Sequence, residues 1–273
     1  MSDPDKAPRT AVISGAGTGI GRATAQKMGE RGWSVAVGGR RVPLLQETAE
    51  LVESAGGRGL GRYLDVTSAE SVEEFFSGVE AEFGPVSVVI NNAAVGRYGP
   101  LSDFEPDEIY AEVVTKLVGS LYMARRGILS MGGSGQGDIL FMTSVSTQVA
   151  WVHHLPYAAS SAGVEHAARI LRHELEGTGI RVTNLRCGET AGTDFATREL
   201  GKDRHAAAAE LWFRRGLLRH GGLMRPENVA DCVMTAISLP RGLQYELLTA
   251  TPMAPTGAMP RTYEEFVQVF DPS

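Results

Sequence analysis

Three clusters of residues carry groups that could do chemistry. The first is Ser14-Gly-Ala-Gly-Thr-Gly-Ile-Gly21, placed between an apolar run of strand type, Thr10–Ser14, and a helical pattern running from Ile20 to Gly32. Gly15, Gly19 and Gly21, with Gly17 as an extra, would let the backbone approach a pyrophosphate, whose charge then sits at a helix N-terminus. Tight strand–helix turns also use glycine for steric reasons alone. The strand–turn–helix context favours nucleotide binding, by Gly15, Gly17, Thr18, Gly19, Ile20 and Gly21. The second cluster, Gly38-Gly-Arg-Arg41, ends a second apolar run, Ser34–Val37. An NAD-specific site needs an acidic residue here to hold the ribose 2′-hydroxyl. The position is Gly39, followed by Arg40 and Arg41. A guanidinium pairs with a 2′-phosphate in bidentate fashion, so NADP(H) is favoured over NAD(H) and over two merely solvated arginines. The third cluster is Ser144 and, thirteen residues later, Tyr157, which opens Tyr-Ala-Ala-Ser-Ser-Ala-Gly-Val164. Free tyrosine ionises near pH 10, so its anion is scarce at neutral pH unless a neighbouring ammonium lowers that value.

The elements that must position these groups alternate. Strand-type runs end at Ser14, Val37, Val66, Ile90, Thr143, Leu185 and Thr249. Helical patterns lie between them, including long ones over about 106–131 and 157–177. Val86–Ile90 is apolar at nearly every position, as in a strand buried on both faces. Thr67 and Glu70 have the spacing of a capping box for the third helix. Alternation of this kind predicts an α/β fold, a single Rossmann-type doubly wound parallel sheet of about seven strands with helices on both faces. The expected organisation is a flexible N-terminus over 1–9, one nucleotide-binding domain over 10–252 and a proline-bearing tail over 253–273. Apolar residues make up 43% of the 273, enough for a large core. A net charge of −6 offers no basic footprint for nucleic acid or anionic membrane. Cys187 and Cys232 lie far apart without metal or redox spacing and read as reduced thiols. With no apolar leader and no run near the roughly 20 residues of a membrane span, a cytoplasmic protein is expected.

Taken together, Ser144 with Tyr157, the glycine-rich turn and Asn91-Asn-Ala-Ala94 resemble the short-chain dehydrogenase/reductase family. The likeness covers most of residues 10–250, with the motifs in the family's order. The turn has the family's Gly-x-x-x-Gly-Ile-Gly form, with Ser14 where threonine is more usual and Ala94 where Asn-Asn-Ala is followed by glycine. The resemblance implies that Tyr157 passes a proton to or from a carbinol oxygen while hydride moves to or from a nicotinamide. It implies that Ser144 hydrogen-bonds the substrate oxygen, and that Asp65 and Val66 contact the adenine. Asn92, Ala93, Ala94 and Tyr157 would border the cofactor, with Cys187-Gly188 in the family's Pro-Gly position beside the nicotinamide. Thr190 and Thr193 are both candidates for the carboxamide contact, the spacing being one residue off. Residues 188–224 correspond to the family's variable substrate lid, and helices 106–131 and 157–177 to those it uses to form a homodimer or homotetramer.

Two positions depart from the family's tetrad. Its lysine, four residues after the tyrosine, is Ser161 here; its asparagine falls on Lys116, within Val114-Thr-Lys-Leu-Val-Gly119. One departure supplies the charge that the other removes. Lysines are scarce in this chain: Lys6, Lys27, Lys116 and Lys202 are four of the 26 basic residues, the rest being arginine. Either Lys116 reaches toward Tyr157 and the ribose from the opposite helix, or catalysis has decayed and Lys116 snorkels from a helix surface. His153 and His154 precede Tyr157 on a loop expected to border a small-molecule substrate, although loop histidines are commonly just exposed. Trp212, with Leu200, Leu211, Phe213 and Leu217, suggests an apolar substrate face on the lid, or the packing of a small helical hairpin. Cys187 reads as a packed side chain, and no metal site is expected. The expectation is an NADP(H)-dependent oxidoreductase interconverting a carbonyl and a secondary alcohol on a partly apolar molecule. The alternative is a silent or non-redox protein on the same fold: a binding subunit, isomerase or lyase.

Overall fold

The computed structural model describes residues 9–132, 135–195, 201–257 and 259–270. The lead-in over 1–8 and the lid's Leu200 lie outside them. Seven strands form one parallel sheet: β1 (Thr10–Ser14), β2 (Ser34–Gly39), β3 (Arg58–Tyr63), β4 (Val88–Asn91), β5 (Gly137–Ser144), β6 (Ile180–Cys187) and β7 (Leu247–Ala250). Their order is β3-β2-β1-β4-β5-β6-β7. Successive residues of a strand face opposite sides, and the two cores follow that period. Ala11, Ile13, Val35, Val37, Ile90 and Leu140 meet α1 (Gly19–Gly29), α2 (Val42–Ser54) and α8 (Pro226–Ile237). Val12, Ala36, Val89, Ile139 and Phe141 meet α3 (Ala69–Phe83), α5 (Gly119–Met131) and α6 (Leu155–Glu174) on the other face.

The chain reverses its direction of progress across the sheet between β1 and β4, and a crevice opens outside the carboxyl ends of these strands, as in open α/β sheets generally. Side chains tie the two strand ends together. The Ser14 hydroxyl, 1% exposed, accepts hydrogen bonds from the Asn92 and Ala93 backbone N–H groups, both at 3.1 Å. Asn92 Nδ2 donates to the carbonyls of Ser14 and Gly15. Arg9, inside the span expected to be flexible, is held by Asp138, the Ser87 carbonyl and the Ile237 carbonyl.

Several boundaries differ from the sequence expectation, each for a local reason. The third strand stops at Tyr63 rather than Val66, because the Asp65 carboxylate accepts both the N–H and the hydroxyl of Thr67 and turns the chain. That leaves Ser68, not Thr67, as the cap of α3, accepting from Ser71 N. The long helix 106–131 runs as α4 (Pro106–Val113), a π-helical turn over Val114–Val118 and then α5. A π turn widens the helix by one residue and is frequently found at functional sites; this one carries Lys116. Helix 157–177 begins earlier and ends earlier, as α6, so that Tyr157 lies in its first turn behind Pro156. The lid carries α7 (Gly201–Arg214), and the tail is not merely extended: it forms α9 (Tyr263–Phe270), whose Phe266 is fully buried against Phe213. Removing the Ser14 hydroxyl leaves the Ala93 N–H at the crevice without its acceptor and the Asn92 N–H with the Ile90 carbonyl alone. Ser14→Ala is expected to lower unfolding free energy by about 2 kcal/mol in urea titrations.

Candidate active site

A cavity of about 440 Å³ lies in the crevice and runs from the glycine-rich turn to the lid. At the turn, Gly15 holds φ +68°, and a Cβ there would sit 2.9 Å from Ala93 Cα. A Cβ on Gly21 would sit 2.7 Å from Ala16 Cα. These close approaches, together with a Thr18 cap that makes no hydrogen bond into its own helix, leave the first turn of α1 open to an anion. Asp65, Val66, Asn92, Ala93 and Ala94 line the same cavity.

Arg40 is exposed on its edge, whereas Arg41 is engaged: its Nη1 lies 2.7 Å from Asp194 of the lid, which also accepts from the Thr18 hydroxyl at 3.2 Å. The lid is thereby fastened across the turn, with Thr193 packed against Gly19. Thr190 stays at the β6 end, its hydroxyl on the Gly188 carbonyl, so the two candidate threonines occupy different parts of the cavity. Burial pushes the Cys187 thiol up to about 12, which leaves it protonated and without nucleophilic character.

At the other end, Ser144 closes β5 and Tyr157 faces it from α6. Burial raises the tyrosine's pKa above its ordinary value of 10.0, opposed by the nearby hydroxyls of Ser161 and Ser144. Ser161 is fully buried one helical turn beyond Tyr157, and its Oγ finds no aligned partner among the described residues. Lys116 is not at a surface. It is 2% exposed, its Nζ donates to the Met142 carbonyl at 2.6 Å, and the ammonium stands 5.7 Å from the centre of the Tyr157 ring. Burial lowers its pKa from 10.5 to about 8.

His154 is buried with its ring centre 4.4 Å from that of Tyr157 and its Nδ1 3.3 Å from the Arg97 carbonyl; burial pulls its pKa down to about 4, so the ring is neutral. His153 does not line the cavity; it adopts a left-handed φ of 66°, and its carbonyl accepts from Gly99 N. Trp212 lines the cavity, with its indole N–H on the Val152 carbonyl. Sequence reasoning missed Tyr98, Trp151, Asp194 and Phe195, which also line it. None stands in a motif: Tyr98 follows β4, Trp151 follows β5, and Asp194 and Phe195 come from the lid. Among the described residues no His, Cys, Asp or Glu cluster could hold a metal, and no helix is long and apolar enough to cross a membrane.

The model of the short chain dehydrogenase family matches residues 9–204. A Streptomyces coelicolor protein named as a candidate ketoacyl reductase is 33% identical over 231 residues, 82% of this chain and 87% of that one. Among solved structures, an alcohol dehydrogenase from the archaeon Thermococcus sibiricus, complexed with 5-hydroxy-NADP, superposes with a TM-score of 0.77. It is 28% identical and the match covers 92% of this chain and all of that one. A variant of actinorhodin polyketide ketoreductase with NADPH superposes with a TM-score of 0.79 at 26% identity, covering 90% of this chain and 97% of that one. The chain belongs to the short chain dehydrogenase family, oxidoreductases that act on CH–OH and C=O groups.

A buried ammonium has a thermodynamic signature. Below pH 8 Lys116 is charged in both folded and unfolded chains, and the folded state carries the whole desolvation cost. As pH rises through about 8 the folded protein releases the proton while the unfolded chain keeps it up to 10.5, so stability rises over that window. The lowering from 10.5 to about 8 corresponds to about 3 kcal/mol. Lys116→Met is therefore expected to raise Tm at pH 7 and to lose most of that advantage at pH 9.5. Thermal melts showing no pH-dependent gap would put the ammonium in water instead.

Proposed function

We propose that the protein is an NADP(H)-dependent oxidoreductase that interconverts a ketone and a secondary alcohol, with Tyr157 as acid/base and Lys116 in place of the family's lysine. The observation that carries this is the buried Lys116 ammonium facing the Tyr157 ring, a costly arrangement that a merely structural residue would avoid. The close-packed glycine turn, the open first turn of α1 and the absence of a carboxylate at Gly39 fit a dinucleotide. Gly15 to Gly21 would hold its pyrophosphate, Asp65 and Val66 would border the adenine, and Arg40 and Arg41 would pair with a 2′-phosphate. Asn92, Ala93, Ala94, Gly188, Thr190 and Thr193 would border the rest. When bound, such a cofactor supplies or accepts the hydride.

This chain's own residues then handle the oxygen. The Ser144 hydroxyl would hold the carbonyl oxygen in place. Tyr157, kept protonated by burial, would donate its proton to that oxygen as the carbon gains hydride. The resulting phenolate would be stabilised by the Lys116 ammonium across the ring. A protonated tyrosine suits reduction better than oxidation at neutral pH. Fluorescence titration is expected to show tighter binding of NADPH than NADH, and Lys116→Met to lower ketone turnover by at least about tenfold while leaving NADPH binding measurable. Unchanged turnover would sink the role given to Lys116. No binding of either cofactor to the folded protein would favour a binding subunit on this fold.

A homodimer or homotetramer through α4–α5 and α6 fits the large apolar side chains these helices leave exposed: Tyr110, Leu121, Leu129 and Ile170. Sedimentation equilibrium is expected to return two or four chain masses. A single chain mass at micromolar concentration would exclude this assembly.

A further inference from the structure

The substrate end of the cavity is walled by rings. Starting from Tyr157, ring centres follow one another at 4.4 Å to His154, 4.7 Å to Tyr98, 5.0 Å to Trp212 and 4.9 Å to Trp151. On the other side of Tyr157, Phe195 stands 4.8 Å away. All six line the cavity. Phe195 reaches this place because residue 96 is glycine: a Cβ there would lie 2.3 Å from the Phe195 ring. A second layer backs the wall without lining the cavity. Phe213, Tyr263 and Phe266 pack on one another behind Trp212, and the Tyr263 hydroxyl donates to the Ala206 carbonyl. Polar tips are spent on the backbone where that fixes a ring, Trp212 on the Val152 carbonyl and His154 on the Arg97 carbonyl. These rings are therefore held in place before any ligand arrives, which reduces the ordering cost of binding.

The rings themselves carry no formal charge: His154 is neutral, Arg40 and Arg41 follow β2 on the glycine-turn side, and the Lys116 ammonium across the Tyr157 ring is bonded to the Met142 carbonyl. Of the carboxyl groups that line the cavity, Asp194 is paired with Arg41 and burial raises the pKa of Glu189. Ring faces and edges arranged in this way complement another planar π-system, whose quadrupole favours offset-stacked and edge-on contacts.

We propose that Tyr98, Trp151, His154, Phe195 and Trp212 select an uncharged, planar aromatic ketone. This rests on the reductase reading above, but it also predicts binding without turnover. The test compares 2-acetonaphthone, its 6-methoxy derivative and the methyl ketone of decalin, which keeps the carbonyl and the carbon skeleton but has no π-system. With NADPH present, kcat/KM for the naphthyl ketones is expected to exceed that of the decalin ketone by about tenfold, the scale of a few aromatic contacts. The same order of Kd values is expected by calorimetry on the NADP+-loaded protein. Trp151→Leu, at a partly exposed position, is expected to reduce that preference by about fivefold. Equal or inverted preference in both turnover and binding would overturn the assignment. Preferential binding of the naphthyl ketones with no reduction of any ketone would retain it while rejecting the reductase reading.

Discussion

Everything at the site depends on how closely the carboxyl ends of β1 and β4 approach each other. Parallel strands on either side of a reversal in strand order leave a crevice whose floor is backbone, and backbone N–H groups there need acceptors. Ser14 and Asn92 provide the polar stitching, and Gly15 and Gly21 the absence of side chains, so that the turn sits directly against Ala93. The result is a rigid edge from which the first turn of α1 points its N–H groups outward. On that edge hang both the nucleotide end of the cavity and, through β5 and α6, the relative position of Ser144 and Tyr157.

A second constraint runs through the buried cation. An ammonium removed from water is stable only with a partner, and Lys116 has a single main-chain carbonyl and an aromatic face. The π turn at Val114–Val118 carries its side chain inward where a regular surface helix would let it snorkel out. On the facing helix Ser161 is small and fully buried one turn beyond Tyr157, and Lys116 is a buried cation beside that ring. Stability is traded for an electrostatic environment around one phenol, a pattern expected where chemistry occurs.

The lid shapes the other end. Asp194 bridges Thr18 and Arg41 while Phe195 lies against Tyr157, so two adjacent residues reach opposite ends of the cavity. The same segment therefore links the charge near the nucleotide turn to the aromatic wall. Phe213 on α7 and Phe266 on α9 fix the wall from behind, which assigns α9 a role in shaping the pocket as well as in packing.

Much of this was legible in the sequence because it is written in short-range patterns. Strand–glycine–helix punctuation, apolar runs at Val86–Ile90 and the Ser144–Tyr157 spacing are local, and they determine the doubly wound sheet and the family. Asp65 with Thr67 shows the limit even of local patterns: one carboxylate taking two donors shortened β3 and moved the cap of α3 to Ser68. The burial of Lys116 was one of two readings the sequence left open, since a lysine on an amphipathic helix is ordinarily at its surface and only packing takes it inside. The wall formed with Tyr98, Trp151 and Phe195 could not be read. These residues lie on segments separated by tens of positions, and no periodicity relates them. Sequence determined the elements and their order, because propensity and alternation act over a few residues. Tertiary structure decided which side chains share a cavity and which charge lies beside Tyr157, because those depend on distances between segments that only packing sets.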